Sequence, residues 1–350
     1  GYYGAIENQT NTITNNMYPS WFYISVHELG HMWFGDMITC KNWHHAWLNE
    51  GFASYSEAVY EEGVYGYDAY KDYVQSFEYW SGGTLYLENA EDTFNVFQGI
   101  IYDKGAYVIH MLRGVLGDSV FWDGIYTYST DPDLMYGQAT TEDFQEVIED
   151  VSGEDLDYFF EQWVYDEYYP SYDYNFENRG DSLAFLIWQV QEQAGRRPLF
   201  TMPVEVKLLY NSGGDTTIRV WNDEIYQVFT VPISETVDMI EIDPNDLILC
   251  DKDYRPEIPV SLDENAPDQD TRVHIYPNPI GESATIEIIS SSNNMNLTFY
   301  DISGKQSARI SGLSGGMHHF DRGSIPGGMY VYVLRDASGQ TILADKILLR

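Results

Sequence analysis

The spacing of apolar residues changes once along the chain, near Pro170, and that change limits what the chain can fold into. Before it, apolar positions recur every three to four residues. "YDKGAYVIHMLRGVLGD" keeps this period and stops on Gly117. "TTEDFQEVIEDVSG" opens with Thr140 or Thr141 ahead of Glu142 and Asp143, a capping pattern, and closes on Gly153. "LDYFFEQWVYDEYYP" predicts a last helix stopped by Pro170. Residues from about Ser20 to Tyr169 therefore read as mostly helical. After Pro170 the period is two: "AFLIWQVQ", "MPVEVKLLY", "TTIRVW", "YQVFTVPI" and "DMIEI" alternate between Gly, Asn and Asp turns. This predicts a small antiparallel sandwich over Ser171–Lys252. "YRPEIPVSLDENAPDQD" is rich in proline and acid and reads as a linker. From Thr271 the chain is again all strand, a small seven-strand sandwich. The expected fold is a multidomain α+β chain: a mainly helical domain (1–170), then two small all-β sandwich domains (171–253 and 271–350) flanking a linker (254–270).

Composition narrows the function. Acidic residues number 55 against 18 basic, a net charge of −37. Such a surface repels phosphate backbones and anionic lipid, so nucleic acid is set aside as a partner. With 44% hydrophobic residues the chain can still bury a sizeable core. The bland meaning of the charge is a solvated surface that suits an extracellular protein. Cys40 and Cys250 fall in different predicted domains and fit neither a disulfide scaffold nor a cysteine metal site. No apolar run approaches the ~18 residues of a membrane span. The opening "GYYGAIENQT" has no initiator Met, no basic start and no Ala-x-Ala site, so it reads as a cut made inside a larger protein.

"HELGHMWFGD" puts His27 and His31 four residues apart with Glu28 between. On a helix that is about 6 Å of rise and about 40° of rotation, so both imidazoles share one face and can hold one metal. Glu28 stands one step round, where it can take a proton from a metal-bound water. Alone, the string reads equally well as two histidines packing on a helix. Glu50 in "WLNEGFASY" shifts the balance, because a second helix returning antiparallel brings its carboxylate to the histidines. Two His and one Glu form a known catalytic zinc set with an open position for water.

Taken together these stretches resemble the zinc aminopeptidase family of aminopeptidase N and leukotriene-A hydrolase, a branch of the gluzincins. "GAIEN" is similar to that family's GAMEN element, "HELGHMWFGDMIT" and "WLNEGFASYSE" follow at its spacing, "IYDKGAYVIHML" looks like its tyrosine motif, and "FFEQWVYDEYYP" like its helix before the sandwich. The resemblance covers residues 1 to about 250 and implies that the mainly helical part, 1–170, is a thermolysin-like catalytic domain. It implies one zinc ion per chain on His27, His31 and Glu50, with Glu28 as general base and Tyr102 as hydrogen-bond donor to the oxyanion. It further implies that Glu7 holds the α-ammonium of a peptide substrate with a free amino terminus, while Gly4 and Ala5 line its backbone.

Some positions depart from the family. Ile6 stands where Met is usual, and His44 and His45 stand where Asn and Asp are usual; packing is the preferred reading for both histidines. Glu57, seven residues after Glu50, reads as a solvated acid or as a support for a ligand histidine. The family's N-terminal β domain and long C-terminal helical domain have no counterpart in these 350 residues, which predicts a more open site.

"VHIYPNPIGESATIEI", "LTFYDISGK" and "GGMYVYVLRDASGQTILADKILLR" look like the C-terminal sorting domain of type IX secretion. That resemblance implies the type IX machinery as a partner and a secreted or cell-surface location. Two other functions stay open: a gluzincin endopeptidase, for which Glu7 as an amine anchor has no use, and a non-catalytic surface protein, for which an intact motif set is unnecessary.

Overall fold

A computed structural model describes residues 5–10, 12–14, 22–91, 96–191, 197–256, 258, 260, 272–290, 292–301, 305–337 and 341–350. Among these residues the first part of the chain holds helices α1 (Phe22–His31), α2 (Trp47–Tyr65), α3 (Tyr67–Gln75), α4 (Gly99–Leu116), α5 (Asp118–Thr130), α6 (Thr141–Ser152) and α7 (Asp157–Trp163). Strands β1 (Ala5–Ile6) and β2 (Ile13–Thr14) pair antiparallel, and β3 (Ile38–Cys40) pairs parallel with β4 (Gly137–Ala139).

The helix ends follow local chemistry. Thr140 accepts from the Asp143 N–H while the Asp143 carboxylate accepts from the Thr140 N–H, a reciprocal box that starts α6. Gly153 ends the same helix in the left-handed region at φ 71°. Helix α7 stops at Trp163, well short of Pro170. Continuing it would need carbonyls already engaged elsewhere: Val164 O accepts from the Leu85 and Tyr86 N–H groups, and Asp166 O from Lys104 Nζ.

Three helices are held unusually close by residues without bulk. A Cβ on Gly30 of α1 would lie 2.7 Å from Ser56 Oγ and 3.0 Å from Ala53 Cα, both on α2. A Cβ on Gly51 of α2 would lie 2.9 Å from the Gly105 carbonyl carbon of α4. The first contact sets α1 against α2, and the second sets α2 against α4.

Strands β5 (Ser171–Arg179), β6 (Ser182–Gln189), β7 (Met202–Tyr210), β8 (Asp215–Asn222), β9 (Tyr226–Pro232), β10 (Val237–Ile242) and β11 (Asp251–Tyr254) form two sheets, ordered β11-β5-β6-β9 and β10-β7-β8. Two features differ from the expected antiparallel sandwich. "SYDYNFENR", which alternates Tyr172, Tyr174 and Phe176 with Asp173, Asn175 and Glu177, forms β5 in addition to the strands expected, and β11 pairs with it in parallel. Buried Asp173 and Asn175 are tolerated there because Asp173 pairs with Arg255 Nε at 3.3 Å and Asn175 Nδ2 donates to Ile258 O at 2.6 Å. The stretch read as a linker from Tyr254 thus begins inside a strand, and Ile258 and Val260 are buried. Nor does the core break at residue 170. Trp163, Phe200, Met202 and Val204 belong to one buried cluster with the helices.

Strands β12 (Arg272–Tyr276), β13 (Ser283–Ile289), β14 (Met295–Asp301), β15 (Gln306–Leu313), β16 (Gly316–Asp321), β17 (Gly328–Arg335) and β18 (Thr341–Leu349) form the last sandwich, with sheets β12-β13-β16 and β15-β14-β17-β18. Its own core includes Ile286, Leu297, Phe299, Tyr332 and Leu334.

Gly51→Ala forces backbone against backbone, and is expected to cost about 1–3 kcal/mol, the usual penalty of overpacking. Gly63→Ala, exposed on the same helix with nothing within 4 Å of its Cβ, removes only glycine's entropy cost and should stabilise by about 0.5–1 kcal/mol. Thermal unfolding of both variants checks the contrast; equal effects would remove the close approach as the cause.

Candidate metal and catalytic centre

Helix α1 carries His27 and His31 on the face turned to α2, whose first turn carries Glu50. Glu50 Oε2 lies 3.3 Å from His27 Nε2 and 3.2 Å from His31 Nε2, and the two Nε2 atoms are 3.1 Å apart. Ligands at ~2.0–2.1 Å from one tetrahedral ion stand about 3.3 Å from each other, so this triangle fits a single cation. The outer ring nitrogens are occupied. His27 Nδ1 is 3.0 Å from Glu57 Oε1, and His31 Nδ1 is 3.0 Å from the Phe34 carbonyl. Protons assigned to Nδ1 by these acceptors leave two Nε2 lone pairs and a carboxylate lone pair converging on one point. A positive charge there relieves their repulsion.

The electrostatics agree. Burial opposes charge on His27, but hydrogen bonds to Glu50 and Glu57 outweigh it and lift the imidazole to about 9. Burial likewise disfavours ionised Glu50, yet hydrogen bonds to His27 and His31 hold it down at about 2. Two groups shifted in these opposite senses make a pocket that binds a proton or a metal ion tightly.

Glu28 is 5% exposed, and its Oε2 is buried without a hydrogen-bond partner. Burial raises its pKa, which the neighbouring His27 and His31 partly offset. An acceptor kept dry, unpaired and easier to protonate suits a group that takes and returns a proton. The Tyr102 ring, on α4, stacks on His27 with centroids 5.9 Å apart. Burial first, then the charges of Glu50, Glu7 and Glu28, raise its pKa, so its hydroxyl keeps its proton and remains a donor.

The structure brings together His27, His31, Glu50, Glu28 and Tyr102. Glu7 is half-buried, and its charge reaches both Glu28 and Tyr102. Ala5 lies in β1 beside it, and Gly4 lies outside the described residues. His44 and His45 take no part: His45 Nδ1 sits 3.0 Å from Thr141 Oγ1, and His44 bonds the Leu87 carbonyl. Glu57 supports a histidine rather than standing in solvent, and it accepts in turn from the Tyr73 hydroxyl. Sequence reasoning missed Tyr73, which no motif marks. It also missed Gly35, whose positive φ of 147° turns the chain so that Phe34 can face His31. A second acidic group, Glu149, Asp155 and Asp157, is largely exposed, and its oxygens already accept from Gln145 and from backbone N–H groups.

Comparison with known proteins fits this geometry. Residues 5–163 match the family model described as peptidase family M1 domain. This part of the chain is a peptidase family M1 domain. Residues 274–349 match the secretion system C-terminal sorting domain. Tricorn protease-interacting factor F2 of Thermoplasma acidophilum is 32% identical over 158 residues, 41% of this chain and 20% of that protein. Aminopeptidase M1-B of Oryza sativa is 32% identical over 156 residues, 41% of this chain and 17% of that protein. Aminopeptidase N of Streptomyces lividans is 30% identical over 152 residues, 40% and 18%. The chain thus spans a fifth or less of these relatives. Among solved structures, Legionella pneumophila aminopeptidase A in complex with aspartic acid shares the fold at TM-score 0.57 and 22% identity, over 67% of this chain and 27% of that one. Among the described residues, no helix is long and apolar enough to cross a membrane.

Because the His27 imidazole is lifted to about 9 and hydrogen bonding to Glu50 raises His31 as well, a divalent cation binding at pH 7 has to displace at least one proton, and few or none at pH 10. Affinity therefore rises from pH 6 toward pH 9 and levels off above it. Calorimetric titration in buffers of different ionisation heat reads this directly; proton release independent of pH would contradict it. Glu57→Ala removes the acceptor that orients His27 and should weaken the cation about 10–100-fold with the fold intact, measured by competition with a metal-sensitive dye.

Proposed function

We propose that this chain carries the catalytic centre of an exported zinc aminopeptidase. The observation that carries the reading is the converging triad beside a buried, unpaired Glu28 carboxylate. Two imidazole nitrogens and one carboxylate oxygen at tetrahedral spacing are the donor set that zinc favours, with a fourth position open. When bound there, zinc supplies Lewis-acid polarisation of the scissile carbonyl and a water acidified to near neutral.

The chain's own residues do the rest. Glu28 accepts the proton of the attacking water and returns it to the departing amine, which its raised pKa favours at neutral pH. Tyr102 donates its hydroxyl proton in a hydrogen bond to the oxygen that becomes negative during attack. Glu7 holds the α-ammonium of the substrate. A carboxylate near both Glu28 and Tyr102 sets the distance from amine to scissile bond at one residue, which makes the cleavage exopeptidic. The edge of β1 at Ala5, with Gly4 next to it in sequence, offers backbone groups to the peptide. The surrounding charge, −37 over the chain, favours cationic amino termini, although salt confines that pull to about 8–10 Å. The sorting domain supports passage through type IX machinery to the cell surface or beyond.

The test uses the protein that carries this chain, with aminoacyl anilides and their N-acetylated forms. Cleavage should require the free amine and disappear with a zinc chelator. Glu28→Gln should lower kcat about 10²–10⁴-fold while keeping the metal, and Tyr102→Phe about 10²–10³-fold. Equal cleavage of acetylated substrates would move the reading to an endopeptidase; no cleavage of either would leave a surface protein without catalysis.

A further inference from the structure

Antiparallel sheets usually bury one face and wet the other. Two central strands here bury both. On β6, Leu183, Phe185 and Ile187 point into the main core, while Ala184, Leu186 and Trp188 point the opposite way and are equally buried. On β17, Tyr330, Tyr332 and Leu334 fill the core of the last sandwich, while Val331 and Val333 point outward and are also buried. The outward sets meet each other. Ala184, Leu186, Trp188, Tyr226, Val331 and Val333 form one cluster, which Ile258 and Val260 join.

We propose that the sorting domain is carried docked, not on a free tether. Its β15-β14-β17-β18 sheet is laid on the β11-β5-β6-β9 sheet, giving four sheet layers in a stack. Polar contacts at the rim fix the register. Lys346 Nζ donates to Glu224 Oε2 at 2.9 Å across the two sandwiches. The start of the connecting segment is tied down as well: Arg255 N–H donates to Tyr174 O, and Asn175 Nδ2 donates to Ile258 O and Pro256 O. The occupant of the apolar face on β6 is therefore the chain's own C-terminal domain. One consequence concerns export. A secretion partner meets a sorting domain whose β14–β17 face is covered, so it has to engage the β12-β13-β16 sheet or the strand edges. Removal of the domain would then uncover Leu186, Trp188 and Tyr226 as an apolar patch of the kind that seeks another partner.

A zero-length carbodiimide, which joins an amine to a carboxylate only in contact, tests this on the intact chain, with scattering to read its dimensions. The unchanged protein should give a Glu224–Lys346 adduct and a compact radius. Leu186→Asp, on one side of the contact, should abolish the adduct and expand the chain. Val331→Thr with Val333→Thr keeps β-branched side chains for the strand but buries hydroxyls in the contact. That pair should lower adduct yield roughly tenfold without unfolding either sandwich. No adduct in the unchanged chain, or adduct and radius unaltered by both sets of substitutions, would overturn the proposal.

Discussion

The close approach of α1, α2 and α4 is the constraint on which the rest depends. The proposed metal site needs three side chains from two helices to meet within little more than 3 Å, with a tyrosine from a third helix beside them. Ordinary helix packing leaves axes 8–10 Å apart, with the larger values set by bulky side chains. Gly30 against Ala53 and Ser56, and Gly51 against Gly105, remove that bulk at the two crossings. Glu50 immediately precedes Gly51, and Tyr102 lies one turn before Gly105. Each glycine therefore sits within a turn of the side chain that it lets approach. The glycines weaken their helices slightly, and the dense aromatic core around Trp47, Phe52, Phe144 and Phe160 offsets this.

Charge inside the site is arranged against the trend of the chain. With 55 acidic residues, carboxylates are plentiful, and most stand in water. Glu50, Glu57 and Glu28 are buried or nearly so, and each is held in a different state. Glu50 is kept ionised by two histidines, Glu57 bonds His27 and Tyr73, and Glu28, whose Oε2 has no donor, is pushed toward protonation by burial. Carboxylates in such unlike surroundings on neighbouring helices suit the different roles proposed for them, Glu50 as a metal ligand and Glu28 as a proton carrier. Elsewhere buried charge is simply paired off: Arg113 bonds Glu62 and Asp118, and Lys104 donates to two carbonyls.

The parts that could be read from the sequence are those governed by local chemistry. The Thr140 cap, Gly117 and Gly153 each act through residues a few positions away, and the structure has all three. Separation along one helix is equally local, which is why His27 and His31 could be paired from spacing alone. What failed to read is decided by distant partners. The end of α7 depends on Leu85, Tyr86 and Lys104, about 60 to 80 residues earlier. The burial of Asp173 and Asn175 on β5 depends on partners about 80 residues later. Tyr73 and the Phe34 carbonyl serve the histidines by orientation only, and no residue type or spacing announces such a role.

The same distinction governs the two sandwiches. Read strand by strand, "SLAFLIWQ" shows apolar residues on both faces, and so does "MYVYVL". Each could be a strand wholly inside its own domain, but among the described residues neither sandwich has a third sheet to cover the second face. An uncovered face of Leu, Trp and Val costs roughly 1.5–3 kcal/mol per large side chain left in water. A strongly acidic chain keeps copies of itself apart, so burial within the molecule is the cheaper solution. Two half-solutions in the sequence, each short of one layer, complete one another, and the docked arrangement follows from that mutual deficit as much as from any single contact.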